Sequence, residues 1–378
     1  MNAPQEPAAE RTRRLAAELR QRAVDVLLVG TSVNLRYLTG FTGTHGLALV
    51  AAGGDGEGDG ESAGPSHRFL TDFRYATQSA EQVPDAFERE IVAGNLLDAI
   101  PACLPAAGGR FGFDEASLTV SLHTRLGELL GESWELVPCA GAVERLRAIK
   151  DAGELARIGA ACELADEALQ GVLGDGVVGR SERDVAIELE LRMRRLGAEA
   201  PSFPPIVAAG PHGALPHAEP REQTIPADVL LTIDWGARHE GYCSDCTRTY
   251  ATGEGISAQA REVYALVLAA QEQALAAVRE GPTGRELDAV ARGVIERAGF
   301  GENFGHGLGH GVGMEIHEGP RLSRTAGEEP LAAGNVVTVE PGVYLPGRLG
   351  VRIEDLVLVT GGAPAVLTSL SKALTVIS

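Results

Sequence analysis

The chain has 378 residues, of which 33 are basic and 52 acidic, for a net charge of −19. That length allows two domains and a large core, and the composition is that of an ordinary globular protein. The acidic balance argues against nucleic acid or an anionic membrane surface as the main partner, and no apolar run reaches the length of a bilayer span.

The first residues, MNAPQEPAAERTRRLAAELRQ, carry no apolar stretch of the kind that directs secretion. The five cysteines, Cys103, Cys139, Cys162, Cys243 and Cys246, are sparse and odd in number. Such usage suggests a reducing compartment, so a cytoplasmic protein is expected. Residues from Glu6 to about Arg22 read as an amphipathic helix, with Leu15, Leu19 and Ala23 at helical spacing. VDVLLVG (Val24 to Gly30) reads as a short buried strand. RYLTGF, LALVAA and RFLTDFRYA continue a β-rich pattern, with a helix from Arg74 through Val83.

Between two of these strands lies AAGGDGEGDGESAGPSH, residues 51–67. Its acidic spacing lacks the alternating ligands and terminal Glu of a calcium loop. Its composition predicts a flexible hairpin extension, which could also meet a partner subunit. A strand–helix pair follows in FGFDEASLTVSLHTRLGELLG. A long helical pattern comes next, with Leu155, Ile158, Cys162, Ala165 and Leu169 on one face. The expected organisation is therefore α/β (α+β), with a small α/β domain over residues 1–142 and a second domain over 143–378. Within the second, GRSERDVAIELELRMRRLGAE and GRELDAVARGVIERAGF form a faint internal repeat. A duplicated αβ unit with pseudo-twofold symmetry and a site between its halves would produce it.

The chemistry concentrates in three stretches. VLLTIDWGARHEGYCSDCTRT (Val229 to Thr249) reads as two strands around a turn. A turn centred on His239-Glu240 sets Asp234 directly opposite Asp245, roughly 5 Å apart at Cβ. Two buried carboxylates that close repel unless a proton or cation lies between them. GENFGHGLGHGVGMEIHEGP brings His306, His310 and His317 together. Its glycines make a helix costly, at about 1 kcal/mol each relative to Ala. An extended or looped segment is expected, in which His306 and His310 share a face and His317 points away unless the chain bends. NVVTVEPGVYLPGRLGVRIEDLVLV reads as a second hairpin. Its strands run Val336–Glu340 and Val351–Val359, and a turn centred on Gly347 sets Glu340 opposite Glu354 with Arg352 on the same face. Salt bridges to Arg348 or Arg352 would also account for those glutamates. Four carboxylates on two hairpins plus histidines could form a ligand set for two adjacent divalent cations, and such oxygen-rich coordination suits manganese. CSDC lies within a strand and has no second cysteine pair, so neither a redox nor a zinc role is expected for it.

DWGARHEGYCSDCTRT, HGLGHGVGMEIHE, EPGVY and VRIED resemble the successive signatures of the metallopeptidases with the pita-bread fold. GPHGALPHAEP, RYLTGFTG and FLTDFRYATQSAE are similar to segments of their Xaa-Pro branch, prolidase and aminopeptidase P. The resemblance covers nearly the whole chain. It implies a pita-bread C-terminal domain holding two divalent metals, with Mn expected and Co or Zn as the alternatives. Asp234 would hold one metal, Asp245 and Glu354 would bridge both, and His310 and Glu340 would hold the other. His217 and His317 match histidines that contact substrate and stabilise the tetrahedral intermediate. His306 matches a further pocket histidine, and Arg352 an arginine that orients Asp245 or its neighbours. The implied reaction is hydrolysis of the imide bond in a small peptide with proline at its second position, with Glu340 shuttling a proton. The resemblance also implies a homodimer.

Within that branch the sequence leans to an Xaa-Pro dipeptidase. A dipeptidase must bind the proline carboxylate, and Arg36 is a candidate cation, although a surface or fold-supporting role would also explain it. Aminopeptidase P, acting on longer peptides, is the alternative. A methionine aminopeptidase is disfavoured by the extra N-terminal domain and the ALPHAEP segment, and a silent binding module by the intact ligand set.

Overall fold

The computed structural model describes residues 7–53 and 66–378. The chain forms two compact units, Glu6–Arg147 and the part that begins at Ala148. The division falls a few residues beyond the expected 142/143 boundary because helix Ala142–Ala148 is tied to the first unit. There Asn34 Nδ2 donates to Glu144 (2.6 Å), and Arg147 Nη1 donates to Asn34 Oδ1 (2.9 Å).

The first unit is built on one six-stranded mixed sheet. Its order is Phe87–Ile91, His67–Thr71, Gly46–Ala51, Val26–Val29, Gly109–Phe113, Trp134–Pro138. Gly46–Ala51 runs antiparallel to both neighbours, and the other adjacent strands pair in parallel. The first helix, Ala8–Gln21, buries Leu15 and Leu19 as its spacing predicts. Ala23 lies beyond the helix end at φ 52°, so it does not continue the apolar face. RYLTGF departs from the β expectation: Arg36 to Thr39 close the helix Ser32–Thr39, which Gly40 ends at φ 73°. A left-handed glycine after the last turn is a helix stop, and an eight-residue helix that buries Leu35, Tyr37 and Leu38 is too short to show a clear period. The hairpin extension expected at 51–67 falls largely outside the described residues; its flanking strands, Gly46–Ala51 and His67–Thr71, do pair antiparallel. No helix among the described residues is long and apolar enough to cross a membrane.

The second unit repeats one theme twice. A long helix, a 14-residue helix and a β-hairpin occur as Ala152–Gly174, Glu182–Arg195 and 230–251, and again as Ala258–Ala277, Gly284–Arg297 and 336–358. The two 14-residue helices begin alike. Ser181 and Thr283 cap them through their side chains, and each makes an isolated bridge, to Thr224 and to Pro330. Each half also has its own core. Leu169, Val185, Leu189, Ile233 and Trp235 pack in one, and Val267, Leu287, Ile295, Val337, Val351 and Val357 in the other. This duplicated αβ arrangement is the pita-bread architecture expected from the sequence, and it sets one hairpin of each half toward the shared site.

Candidate metal centre

Both hairpins are interrupted where their carboxylates sit. In the first, Leu230–Trp235 pairs with Cys246–Ala251, and Ala237–His239 pairs with Tyr242–Cys243. One register runs through both pieces, with a gap at Gly236 and at Ser244–Asp245. The turn is Glu240-Gly241, at φ 47° and 86°. Two positive φ values in a two-residue loop mark a type I′ turn, whose twist suits a hairpin. The turn is thus one residue further on than expected, and Asp234 faces Thr247 rather than Asp245. A register change of two residues preserves sidedness, so Asp245 becomes a diagonal neighbour of Asp234 on one face. Ser244 makes the gap: its N–H still donates to Ala237 O (2.9 Å), but its Oγ, not its carbonyl, accepts from Ala237 N (2.9 Å) and donates to Ala161 O (3.1 Å). Gly236 is required here, since a Cβ on it would stand 2.0 Å from Ser244 O. Trp235 anchors the strand by donating from Nε1 to Ala165 O on the long helix (2.9 Å).

The second hairpin keeps the expected register, with Gly342 opposite Arg352 and Val339 opposite Asp355. Its strands break between these pairs, as the hairpin passes from one sheet to another, and Glu340 and Glu354 occupy the break. The histidine segment forms the short strand Gly309–Gly311, which a bulge offsets against Glu318–Leu322. The chain therefore does bend between His310 and His317, and their rings lie 4.3 Å apart at the centroids. Backbone packing excludes a side chain on either glycine of this strand: a Cβ on Gly309 would stand 2.1 Å from Thr338 O, and one on Gly311 2.2 Å from Gly319 O.

Together these elements line a cavity of about 460 Å³. Asp234, Asp245, Glu340 and Glu354 lie at its base with His310, and His217, His306 and His317 face it from the surrounding segments. Phe203, Pro204, Pro205 and Ile206 form an apolar wall that the sequence reading missed. The SFPPIV run was its visible signal. Asp234, Asp245 and Glu354 each offer an oxygen within 4.8 Å of the others. His310 Nε2 stands 3.3 Å from Glu340 Oε1 and 3.6 Å from Asp245 Oδ2. Its Nδ1 lies 3.1 Å from Gly311 O, which fixes the ring so that Nε2 faces the carboxylates.

The electrostatics are those of an anion cluster short of positive charge. Burial pushes the Asp245 carboxyl well above its ordinary range, and Glu354, Asp234 and Glu340 add to the shift. Glu354 is raised well above its ordinary value by burial and then by Glu340 and Asp234. Asp234 is raised by burial, against the opposing charge of Arg352. Burial also works to raise Glu340, but its hydrogen bond and charge interaction with His310 prevail and hold it down at about 2. Burial would lower His310, yet Glu340 raises it. His306 and His317 are both lowered, mainly by burial.

Arg352 organises one side of this cluster. It donates to Asp234 Oδ2 (2.7 Å), Thr247 Oγ1 (3.0 Å), Tyr344 Oη (2.8 Å) and Pro216 O (3.1 Å). Tyr344 Oη in turn meets His306 Nε2 at 2.9 Å. The guanidinium thus bonds Asp234 and not Asp245. Arg348 points elsewhere, to Gln259, so it does not neutralise the glutamates. Cys243 and Cys246 are buried free thiols, Cys246 against the Glu354 carbonyl. Arg36 lies on helix Ser32–Thr39 of the first unit, whereas the cavity-lining residues fall between 203 and 354.

A divalent cation fits this donor set. Asp234 Oδ1 and Glu354 Oε1 are buried without a hydrogen-bond partner, and buried carboxylate oxygens ordinarily have one. Four clustered carboxylates and one imidazole are hard oxygen and nitrogen donors suited to such ions.

Comparison with known proteins agrees with this geometry. Residues 156–361 match Metallopeptidase family M24, and residues 11–149 match the Creatinase/Prolidase N-terminal domain. An Xaa-Pro dipeptidase of Pyrococcus furiosus is 35% identical over 365 residues, 97% of this chain and 99% of that protein. The structure of an Xaa-Pro dipeptidase from Bacillus anthracis superposes with a TM-score of 0.91 at 38% identity, covering 98% of this chain and 100% of that one. An X-Pro aminopeptidase from Thermotoga maritima gives 0.84 at 33% identity, covering 97% and 99%. With two carboxylate-bearing hairpins in a duplicated αβ unit that follows a creatinase/prolidase-type domain in sequence, the chain belongs to metallopeptidase family M24.

Proposed function

We propose that the chain is an Xaa-Pro dipeptidase, which hydrolyses the imide bond between an N-terminal residue and proline. The observation that carries this reading is the convergence of Asp234, Asp245, His310, Glu340 and Glu354 at the base of an apolar-walled cavity, with two buried carboxylate oxygens unpartnered. Asp234 would hold one cation, His310 and Glu340 the other, and Asp245 and Glu354 would bridge them. Manganese suits the donor set best, with cobalt or zinc possible substitutes. Two such ions would supply a lowered pKa for a shared water and polarise the scissile carbonyl.

The chain's own groups do the rest. Arg352 holds Asp234 in place and, through Tyr344, sets His306. His317, kept neutral by burial and by the neighbouring His310, can donate an N–H to the developing oxyanion. Glu340 carries the proton from the attacking water toward the proline nitrogen. That nitrogen has no N–H in the substrate, so the site needs no acceptor for one. His217, exposed on the facing loop, contacts the substrate. The apolar wall at Phe203–Ile206 suits an uncharged first side chain, and the acidic base suits the free amino terminus.

A dipeptidase needs a cation for the proline carboxylate. Arg36 remains one proposal. Arg321 is a second: it is in register with His310 across the strand pair, and its charge acts on His317. Aminopeptidase P activity is the alternative, favoured by likeness to the Thermotoga maritima enzyme. Rates on Met-Pro and Met-Pro-Ala, with manganese and after chelation, test both readings. The dipeptidase reading expects metal-dependent cleavage of Met-Pro well above Met-Pro-Ala, and the reverse order favours the alternative. A homodimer and a cytoplasmic location belong to the same proposal; sedimentation at working concentration and cell fractionation test them.

A further inference from the structure

The loop that carries His217 is held by a group far from it in sequence. Glu182 opens the helix Glu182–Arg195, and its side chain is fully buried. A buried carboxylate is costly unless its oxygens are matched by donors. Here three donors converge. Oε1 accepts from Ala209 N at 2.8 Å, Oε2 accepts from Arg221 N at 3.1 Å, and His212 Nδ1 lies 2.8 Å from Oε2 and 3.0 Å from Oε1. Ionised carboxylate oxygens only accept, so His212 carries its proton on Nδ1. His212 is buried as well, and its Nε2 has no hydrogen-bond partner, so Glu182 is the polar contact of that ring in the structure.

These three donors are the start, an interior point and the end of one segment, residues 209–221. Pro216, His217, Ala218, Glu219 and Pro220 of that segment line the cavity. Arg352 Nη1 donates to Pro216 O, so the loop is fixed on its cavity side by the arginine that holds Asp234. Glu182 fixes it from behind. The loop has only a short 3₁₀ turn of its own, Gly210–Ala214, and a segment so poor in regular structure needs such external ties to hold one conformation.

We infer that Glu182 and His212 are positioning residues, a buried clamp that sets the 209–221 loop so that His217 meets the substrate. This rests on the substrate-contact role proposed for His217. Displacing a positioned group by about 1 Å can cost as much as a hundredfold in rate, so a loosened clamp should be visible in catalysis without loss of the metal ligands.

The test uses His212→Leu and His212→Asn in the full, manganese-loaded protein. The Asn Nδ2 lies as many bonds from Cα as the histidine Nδ1, so it can restore the bond to Glu182, and Leu cannot. On Met-Pro, His212→Leu should lower kcat/KM on the order of tenfold, with metal content unchanged, and His212→Asn should recover most of that loss. In a His217→Ala background the Leu substitution should cost nothing further. Hydrogen exchange supplies a readout independent of activity: amides of 210–221 should exchange faster in His212→Leu, and those of 230–251 should not. Equal losses in both backgrounds, Asn no better than Leu, or exchange that quickens across the hairpin as well would overturn the clamp. Wild-type activity in His217→Ala would overturn the role of His217 instead, and the exchange data would then still decide whether the clamp holds the loop.

Discussion

Replacing Glu354 by glutamine should stabilise the metal-free protein while it disables the metal-loaded one. Glu354 Oε2 accepts from Thr247 Oγ1 at 2.7 Å, and glutamine keeps that acceptor. Glu354 Oε1 has no partner, and the oxygens of Asp234 and Asp245 lie close by. An amide N–H in its place turns a repulsive contact into a hydrogen bond. An unmatched buried acceptor costs about 1–3 kcal/mol, so a gain of about 2 kcal/mol is expected. That corresponds to a rise of about 4–8 °C in Tm for a domain of this size. The pH dependence has a defined sign. The Glu354 pKa is raised in the folded state, so the folded protein binds the proton more tightly. Its contribution is then complete below the unfolded value of about 4.3 and is lost as pH rises. The advantage of Glu354→Gln should therefore be small near pH 5 and widen toward pH 8. The assay is thermal unfolding of chelator-treated wild type and variant across that range, repeated with manganese. Manganese should raise Tm in wild type far more than in the variant, and the variant's turnover of Met-Pro should fall more than about a hundredfold. A variant less stable than wild type without metal, or one that gains as much from manganese, would refute the reasoning.

Further outcomes follow from other contacts. Arg352→Met leaves Asp234 without its buried cation and should cost about 3–5 kcal/mol in the metal-free protein, read as a lowered midpoint in urea; an unchanged midpoint would remove the arginine from this role. Asp245→Asn should abolish Met-Pro cleavage and lower metal content, and a wild-type rate would end the bridging role proposed for Asp245. Arg321→Ala should raise KM for Met-Pro much more than for Met-Pro-Ala, whereas Arg36→Ala should do so if Arg36 is the carboxylate anchor; equal effects on both peptides in both variants would remove these arginines from that task. Glu240→Asn relieves a left-handed glutamate and should stabilise by up to about 1 kcal/mol, less whatever its exposed 2.8 Å pair with Arg157 contributes. Calorimetry that shows no gain would place the strain elsewhere.

Much of the site could be read from the chain because it rests on local patterns. Alternating apolar strands announced both hairpins, and for the second the glycine at the turn centre set the right register, Gly347 standing at φ 70°. The first hairpin was placed two residues out of register because Glu240 occupies a left-handed position that normally favours glycine or asparagine. Gly241, in the left-handed region at φ 86°, takes the second central position of the turn. The error preserved the face, so both aspartates still pointed to one site. Features that depend on distant contacts were not legible. The bulge beside His310 that brings His317 round, the partnership of Arg352 with Asp234, and the link from Glu182 to His212 all join segments far apart in sequence. Helix Ser32–Thr39 was missed for a local reason: adjacent apolar residues in so short an element fit a strand as well as a helix.

The central claim is that the five clustered side chains bind two divalent ions and that these ions enable cleavage before proline's nitrogen. Titrating the metal-free protein with manganese, while following bound metal and the rate of Met-Pro hydrolysis together, tests it most directly. Activity that rises with loading and saturates at two ions per chain is the predicted result. Full activity without metal, or no hydrolysis with both ions bound, would contradict it.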